Sequence, residues 1–318
     1  MHLTDAVEQF MTGYFATCRR SDKTVAAYRI DLAQLRAHVG GTEPLETIKP
    51  DCLESWAAGL RSRGYASVSI RRKFATARVF FSYWVRQGAI ERSPLWRIRL
   101  DLGRERVLPR NLAPSDAQRL IEEVWHKIDV CRTAIRRAGD SRFLRIRDLA
   151  AVEILFATGI RVGELVSLGL RDWREDDASF IVNGKGARQR LALLPDSRSL
   201  KAVKLYLSHR AGMNLSHDGL LINAAGERIS TQGIARILAK TAHDGGVTAK
   251  VTPHMIRHTV ATLLLRYGAD IRVVQEVLGH ASIATTQRYT HVSKEHMFAT
   301  LRERHPNNHL NIDIHARN

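Results

Sequence analysis

The sequence has 318 residues, 44% of them hydrophobic and 25% charged, which is typical of a globular protein with about two domains. The formal net charge of +17 favours a polyanionic partner, either nucleic acid or an anionic membrane surface. No apolar run of about 18 residues is present, and Met1–Arg20 lack the apolar core of a signal peptide, so we expect a cytoplasmic protein without membrane spans. Cys18, Cys52 and Cys131 match no disulfide framework and no metal-ligand spacing.

The first hundred residues predict a helical domain. Apolar residues recur with helical spacing in four segments, which Gly, Pro and Ser residues separate. The predicted helices are Thr4–Cys18, Lys23–His38, Asp51–Arg63 and Val68–Gln87. Residues 1–100 are therefore interpreted as one compact domain.

The fourth predicted helix has an apolar face and a basic face. The apolar face, at steps of four and three residues, consists of Ile70, Phe74, Ala77, Phe81 and Trp84. The basic face consists of Arg71, Arg72, Arg78 and Arg86. Between residues 61 and 110, 13 Arg and Lys stand against three acidic residues, a local net charge of +10. This concentration predicts contacts with successive phosphates of nucleic acid, and a solvated basic surface is the alternative.

The remaining chain predicts a second domain that is mainly helical. Residues 101–112 are interpreted as a linker, since they combine charged residues, Pro and Gly without helical periodicity. Helices are predicted at Pro114–Ala138 and Leu144–Ala157, and then again from Ser197 onward. Between them lie two predicted strands, Phe180–Asn183 and Arg190–Leu194, in a hairpin marked by an Asn-Gly turn signal. The fold class is therefore mainly α with a small antiparallel β-sheet, and the second domain is placed at residues 113–305, before a tail at 306–318.

Two segments of the second domain carry basic residues suited to a phosphate. Arg161 follows an apolar helix and begins another, and Glu164, three residues later, is placed to hold its guanidinium. Lys185 lies at the hairpin tip between two glycines, which allow the backbone to approach a ligand closely. A surface ion pair and an exposed turn lysine are the alternative explanations.

A third segment combines an imidazole with a guanidinium. Thr252 and Pro253 predict a helix start, which places His254 and Arg257 on one face next to the free N–H groups of the first turn. His254 and His258 also have the spacing of zinc-binding helices. No acidic residue follows His254 and no third ligand is evident, so we expect no metal.

The last segment contains a His and a Tyr. Leu278-Gly279-His280 ends a helix that Asp270 can cap, which places His280 in a turn. Ser282 can cap the following polar helix, and Tyr289 lies near its end. A single tyrosine in such a position is commonly a packing residue.

Together these segments resemble the tyrosine recombinase, or phage integrase, family in its Xer-like form. The family pattern is an Arg in a Thr-Gly-x-Arg-x-x-Glu-Leu segment, a hairpin Lys, His-x-x-Arg, Leu-Gly-His and then Tyr. The spacings from Arg257 to His280 (23 residues) and from His280 to Tyr289 (nine residues) match it as well. The stretch Trp125–Ser141 is longer than in simple Xer proteins, and Gly163 stands where many relatives have Ser.

The resemblance implies a two-domain clamp around double-stranded DNA, with a helical, SAM-like core-binding domain at residues 1–100 and an α+β catalytic domain at 113–305. It implies that Tyr289 cleaves DNA as a nucleophile, forming a 3′-phosphotyrosyl intermediate that is later rejoined. It implies that Arg161 and Arg257 clamp the phosphate and that Glu164 supports them. It implies that His254 accepts the proton of the tyrosine and that Lys185 donates a proton to the leaving hydroxyl. His280 is expected to donate a hydrogen bond to a phosphate oxygen. No cofactor is expected.

The same resemblance implies a homotetramer on two recombination sites, acting alone or with a second recombinase, in a bacterial cytoplasm and associated with the nucleoid. Relatives pass the helix after the tyrosine, here Ser293–Arg304, to a neighbouring protomer. Integration or excision of a mobile element, including transposition, and resolution of DNA multimers are the expected roles. A DNA-binding regulator without a reaction and a topoisomerase of type IB are the alternatives.

Overall fold

The computed structural model describes residues 1–18, 22–103, 111–128, 135, 137–184, 189–279 and 294–310, without the side chains of residues 23 and 294–296. The chain divides into two compact units, Met1–Val107 and Leu108–Asn318. None of the described helices is long and apolar enough to cross a membrane. The predicted fold class, mainly α with a small antiparallel sheet, is confirmed.

Four helices form the first unit. They are α1 (Leu3–Thr17), α2 (Asp22–Val39), α3 (Pro50–Ser62) and α4 (Ser67–Arg86). Every predicted boundary lies within one residue of the observed one, because Gly, Pro and Ser residues separate the four amphipathic segments. The apolar stripe predicted on α4 is buried, and none of its five side chains is more than 5% exposed.

The basic face of α4 is tied to α2 by a buried carboxylate. Asp31 of α2 is 1% exposed and accepts hydrogen bonds from Arg72 at 2.5 Å and from Lys73 and Thr76 at 3.0 Å. A buried carboxylate is stable only when it is paired in this way. The network therefore joins the two helices and fixes the direction of the Arg72 guanidinium.

The other basic side chains of α4 differ in their contacts. Arg71 donates to the carbonyl of Gly103. Arg78 and Arg86 are exposed and make no hydrogen bond with any other group in the described ranges. Both guanidiniums are thus available to a ligand of the first unit.

The second unit is built around one central helix. Its helices are α5 (Pro114–His126), α6 (Ser141–Thr158), α7 (Val162–Ser167), α8 (Ser197–Ala211), α9 (Thr231–Asp244), α10 (Pro253–Arg266), α11 (Ile271–Leu278) and α12 (Lys294–Arg304). Of the 18 residues of α6, 13 are buried, and α5, α8, α9 and α10 pack around it. Its second half, Leu149–Thr158, is buried throughout and apolar apart from Glu153 and Thr158, as expected for a helix at the centre of a domain.

The sheet has three antiparallel strands in the order β1 (Trp173–Arg174), β2 (Ser179–Asn183) and β3 (Gln189–Leu193). The register pairs Phe180 with Ala192 and Asn183 with Gln189, so the predicted hairpin of β2 and β3 is confirmed. The short strand β1 was not predicted, since two residues are too few for an alternating pattern.

The prediction of a helix from Pro114 to Ala138 is wrong in its length. Helix α5 ends at His126, where Ile128 N donates to Trp125 O at 3.0 Å and closes a tight turn. Lys127 adds ion pairs to Glu123 and Asp244 at this point. Apolar residues continue beyond the turn and prolong the apparent periodicity, as Ile135, which is 4% exposed, illustrates.

The C-terminal segment, residues 294–310, packs against the rest of the second unit. Leu301 and Leu310 enter its core, and a short 3-10 turn at Pro306–Asn308 follows α12. Asn307 Nδ2 donates to Asp196 Oδ2 at 2.7 Å, at the residue that caps α8. The first residues of the predicted tail are therefore anchored to the domain that precedes them.

His305 makes this anchor sensitive to acid. The side chain is fully buried, and burial lowers its pKa from 6.5 to about 4 against the opposing charge of Asp196. The folded state therefore binds fewer protons than the unfolded state between these two values. Stability from the docked segment is fully present above the unfolded pKa and is lost as the pH falls from 6.5 towards 4.

We expect amide exchange protection in α12 and the Pro306–Asn308 turn to fall on acidification from about pH 7 to about pH 4.5. A His305→Gln variant has no group that titrates there, so it is expected to lose this pH dependence. The control is His309→Gln, which changes an exposed histidine of the same segment and is expected to retain it. An identical pH profile in wild type and His305→Gln would contradict the prediction.

Candidate active site

Arg161 stands at the junction of α6 and α7. Helix α6 ends at Gly159, which has the left-handed φ of +57° that favours glycine, and Arg161 is the N-cap residue of α7. Its guanidinium donates to Glu164 Oε1 at 2.8 Å and to Gly279 O at 3.0 Å. The Arg161 side chain is 44% exposed, so part of its guanidinium faces solvent.

Arg257 lies deeper, on the first turns of α10. The helix begins as predicted, with Thr252 Oγ1 accepting from Met255 N at 3.2 Å and Pro253 in the first turn. The Arg257 guanidinium donates to Gly159 O at 2.7 Å and to Leu278 O at 2.5 Å. One buried arginine therefore connects the end of α6 with the end of α11.

Arg190 on β3 is a third arginine of this cluster, which the sequence motifs did not indicate. It donates to Glu164 Oε2 at 2.8 Å and to Val277 O at 3.2 Å, and its side chain is 9% exposed. In the sheet register it lies opposite Val182, a buried residue of β2. A charged residue across from a buried position of a predicted hairpin is the signal that could have identified it.

The three arginines bind three consecutive carbonyl groups at the end of α11. Val277 O accepts from Arg190, Leu278 O from Arg257 and Gly279 O from Arg161. The last carbonyls of a helix have no partner inside the helix and carry its negative partial charge. Three cations are therefore held in one place largely by backbone groups.

The electrostatics of the cluster are dominated by positive charge. Burial, together with the charges of Arg161 and Arg190, lowers the pKa of Arg257 to about 10, so the guanidinium stays charged at neutral pH. Burial of Glu164 by itself raises the pKa of its carboxyl. The hydrogen bonds and charges of Arg190 and Arg161 outweigh that effect, and the net pKa is below its ordinary value. Three cations against one carboxylate leave the cluster suited to an anion.

His254 is exposed on the first turn of α10, three residues before Arg257. Its ring makes no hydrogen bond within the described residues and is accessible from solvent. His258, one turn later, is half-buried. Among the described residues, no three His, Cys, Asp or Glu side chains are grouped so that they could hold a metal ion.

The structure thus brings together Arg161, Glu164 and Arg257 from the predicted set. Lys185, His280 and Tyr289 lie outside the described residues. Their attachment points are described, because β2 ends at Asn183 and Gly279, the residue before His280, accepts from Arg161. Arg71, Arg72, Arg78 and Arg86 belong to the first unit.

Gly279 allows the carbonyls of residues 277–279 to face the three arginines. Its φ is +62°, and an added Cβ would lie 2.9 Å from Arg190 Cδ.

Gly246 offers a matched control in the same unit, because its φ is +69° and no atom lies within 4 Å of such a Cβ. We expect Gly246→Ala to cost about 1 kcal/mol of unfolding free energy from backbone strain, and Gly279→Ala about 2–3 kcal/mol because the contact adds to the strain. Urea unfolding measures both, and equal losses would contradict the prediction.

Comparisons with known proteins agree with this fold. Residues 128–296 match the model of the phage integrase family, and residues 7–88 match that of the phage integrase N-terminal SAM-like domain. A tyrosine recombinase XerC from Thermodesulfovibrio yellowstonii is 34% identical over 292 residues, covering 90% of this chain and 91% of that protein.

Two solved structures show the same fold. The Tn1549 transposon integrase in complex with circular intermediate DNA has a TM-score of 0.71 at 18% identity, covering 94% of this chain and 98% of that one. A lambda integrase tetramer bound to a Holliday junction has a TM-score of 0.67 at 17% identity, covering 92% of this chain and 81% of that one.

The sequence matches define a DNA recombinase, and the structural matches show the same two-domain fold. The chain belongs to the phage integrase family of tyrosine recombinases. The predicted family is confirmed, and so is the predicted enzyme class, which breaks and rejoins DNA strands.

Proposed function

We propose that this chain is a site-specific recombinase that cleaves and rejoins double-stranded DNA through a 3′-phosphotyrosyl link to Tyr289. The observation that carries the proposal is the meeting of Arg161 and Arg257 on the carbonyls that directly precede His280. Two guanidiniums that keep donors without a partner among the described residues are the arrangement that phosphoryl transfer requires.

In the proposed reaction, the phenolic oxygen of Tyr289 attacks the phosphorus, and the bond from phosphorus to the 5′ oxygen breaks. His254 takes the phenolic proton, and Lys185 gives a proton to the departing 5′ hydroxyl. Because the new ester retains the energy of the broken one, religation is the same step reversed and needs no ATP, cofactor or metal.

The other residues stabilise charge in this reaction. Arg161 and Arg257 neutralise the non-bridging oxygens, and His280 donates a hydrogen bond to one of them. Glu164 touches Arg161 and not the phosphate, so it orients the clamp. The exposure of His254 supports its role as base, since the ring is open to a bound substrate.

We propose that the basic face of α4, formed by Arg71, Arg72, Arg78 and Arg86, contacts the DNA backbone. Arg78 and Arg86 are exposed, and Asp31 fixes the direction of the half-exposed Arg72.

Arg78→Gln is expected to weaken binding uniformly across DNA sequences and to lower the slope of log affinity against log salt by about 0.9. The control, Arg97→Gln, removes a charge already paired with Asp51 at 2.7 Å and is expected to leave the slope unchanged. Binding titrations at several salt concentrations that gave both variants one slope would contradict the prediction.

The proposed assembly is a homotetramer on two recombination sites, alone or with a second recombinase. The tetrameric lambda integrase of the same fold supports it. Exchange of α12 between protomers remains a prediction. In the structure, α12 contacts α11 of its own chain.

Truncation after Val292 is expected to preserve binding to a single DNA site and to abolish recombination. Full recombination by the truncated chain would exclude exchange.

The biological role is proposed as integration or excision of a mobile element, or resolution of DNA multimers, in the bacterial cytoplasm at the nucleoid. The curated relative is a XerC and a structural relative is a transposon integrase, so each role has support. Sequencing the DNA that is covalently attached to the protein in cells distinguishes the two roles. A role in integration or excision predicts attachment at the two ends of a mobile element. A role in multimer resolution predicts attachment at one site that every copy of the replicated DNA carries.

The test of the proposed function is incubation of the wild-type chain with nicked suicide duplexes made from its flanking genomic DNA, followed by denaturing gels. We expect a covalent adduct whose DNA-linked peptide contains Tyr289. Absence of an adduct on DNA that the protein binds would favour a DNA-binding regulator. Relaxation of plasmids without a defined pair of sites would favour a topoisomerase.

A further inference from the structure

Arg190 joins the elements that carry the proposed catalytic residues. It belongs to β3, the strand that follows the hairpin of Lys185, and its Nε donates to Val277 O at 3.2 Å, two residues before the turn that leads to His280. The same guanidinium donates to Glu164 Oε2 at 2.8 Å. A second contact is steric, because Cδ, Nε and Cζ of Arg190 lie closest to the space that a Cβ on Gly279 would fill.

These contacts use what only an arginine offers. The two acceptors belong to different elements, one on α7 and one at the end of α11, and a planar fork with fixed donor directions binds both. The side chain is 9% exposed and its described partners are both protein groups, so it does not depend on a ligand to be held.

Glu164 connects Arg190 to the guanidinium of Arg161. Its Oε2 binds Arg190, while its Oε1 accepts from Arg161 at 2.8 Å. Without Arg190, Glu164 Oε2 loses its charged partner and keeps only the hydrogen bond from Arg161 N at 3.1 Å, so the carboxylate is held less firmly in the geometry that orients the Arg161 guanidinium. The Val277 carbonyl, one of the three that fix the turn, also loses its donor.

We propose that Arg190 is a positioning residue for DNA cleavage, which sets the Arg161 clamp through Glu164 and fixes the turn before His280 without touching the phosphate. The proposal rests on the proposed function, since it assigns Arg190 to that same site. Its effect on rate arises from geometry, and a displacement of about 1 Å in a catalytic group costs about 10²-fold.

The test compares two substrates with the full-length protein. One is a nicked suicide duplex with an ordinary scissile phosphate, and the other carries a neutral methylphosphonate there, which has no anionic charge for the clamp to neutralise. The variants are Arg190→Lys, which keeps the charge and loses the fork, and Arg190→Gln as a second variant. The matched control is Arg198→Lys, because Arg198 is 10% exposed and pairs with buried Glu153 at 2.8 Å in the same unit.

On the ordinary phosphate, we expect Arg190→Lys and Arg190→Gln to form adduct about 10²-fold more slowly than wild type, with unchanged single-site DNA affinity. On the methylphosphonate the defect is expected to shrink to about 3-fold, since the misplaced clamp is no longer needed. Arg198→Lys is expected to cleave like wild type at a temperature where both proteins are folded.

An equal defect on both substrates, or no defect on the ordinary phosphate, would overturn the proposal. A wild-type protein that forms no adduct on bound DNA would instead overturn the proposed function, and with it this role. Melting temperatures of all variants are recorded alongside, so a general loss of stability is recognised as such.

Discussion

Replacing Tyr289 with Phe is expected to abolish covalent attachment to DNA completely while leaving single-site DNA affinity unchanged. The substitution removes only the phenolic oxygen, the atom that the proposed function assigns to the ester, and keeps the aromatic ring. Water in the same site would have to be activated and oriented by residues arranged for a phenol, so hydrolysis does not replace the lost step. The measurement is adduct formation on nicked suicide duplexes, resolved on denaturing gels.

A matched control loses a hydroxyl elsewhere in the same unit. Tyr267 stacks on His309 at a centroid distance of 4.1 Å, and its hydroxyl makes no hydrogen bond among the described residues, so Tyr267→Phe is expected to cleave at the wild-type rate. Adduct formation that persists in Tyr289→Phe would show that another residue is the nucleophile.

The second large effect is expected for Arg257→Lys, with a loss of about 10³-fold in the rate of adduct formation. The guanidinium binds Gly159 O and Leu278 O at once, and the proposed reaction uses its remaining donors for the phosphate. An ammonium group is a point charge that cannot keep this geometry, and each buried carbonyl left without a donor costs about 1–3 kcal/mol. We therefore expect a lower melting temperature together with the loss of cleavage.

Arg210→Lys separates these two effects. Arg210 is 2% exposed and donates to Gly219 O and His217 O, so it too is a buried arginine on backbone carbonyls, without contact to the arginine cluster. This variant is expected to lose stability and to cleave normally below its melting temperature. If both lysine variants lost stability and neither lost cleavage, Arg257 would have a structural role only.

Much of the fold could be predicted because local signals and tertiary packing agree in it. The stripe on α4 is buried as the periodicity predicts, and the caps Thr252 and Asp270 accept the backbone hydrogen bonds expected of them. Helix α6 begins three residues before its predicted start, at the residue that follows the cap Asp140. The site was predicted in part for a different reason, since Arg161, Glu164 and Arg257 follow a family pattern and not a local rule.

The remaining features depend on contacts that no local pattern contains. Arg190 is important because Val277 O and Glu164 meet it from two distant elements, and spacing along the chain does not indicate such a meeting. The anchoring of Asn307 to Asp196 is likewise a tertiary contact within a stretch whose composition suggests a free tail. The true end of α5 is set by a turn at Lys127 and Ile128, and apolar residues continue after it along the chain, so periodicity alone extended the helix.

The dependence of the arginine cluster on main-chain oxygens has a consequence for how this enzyme tolerates change. The carbonyls of Val277 and Leu278 are present whatever side chains those positions carry, and both side chains are buried away from solvent. Neutral drift or engineering can therefore exchange these residues for other apolar ones of similar volume without removing a ligand of the clamp. Glycine at 159 and 279 has no such freedom, so libraries that aim at new DNA targets should hold these two positions constant.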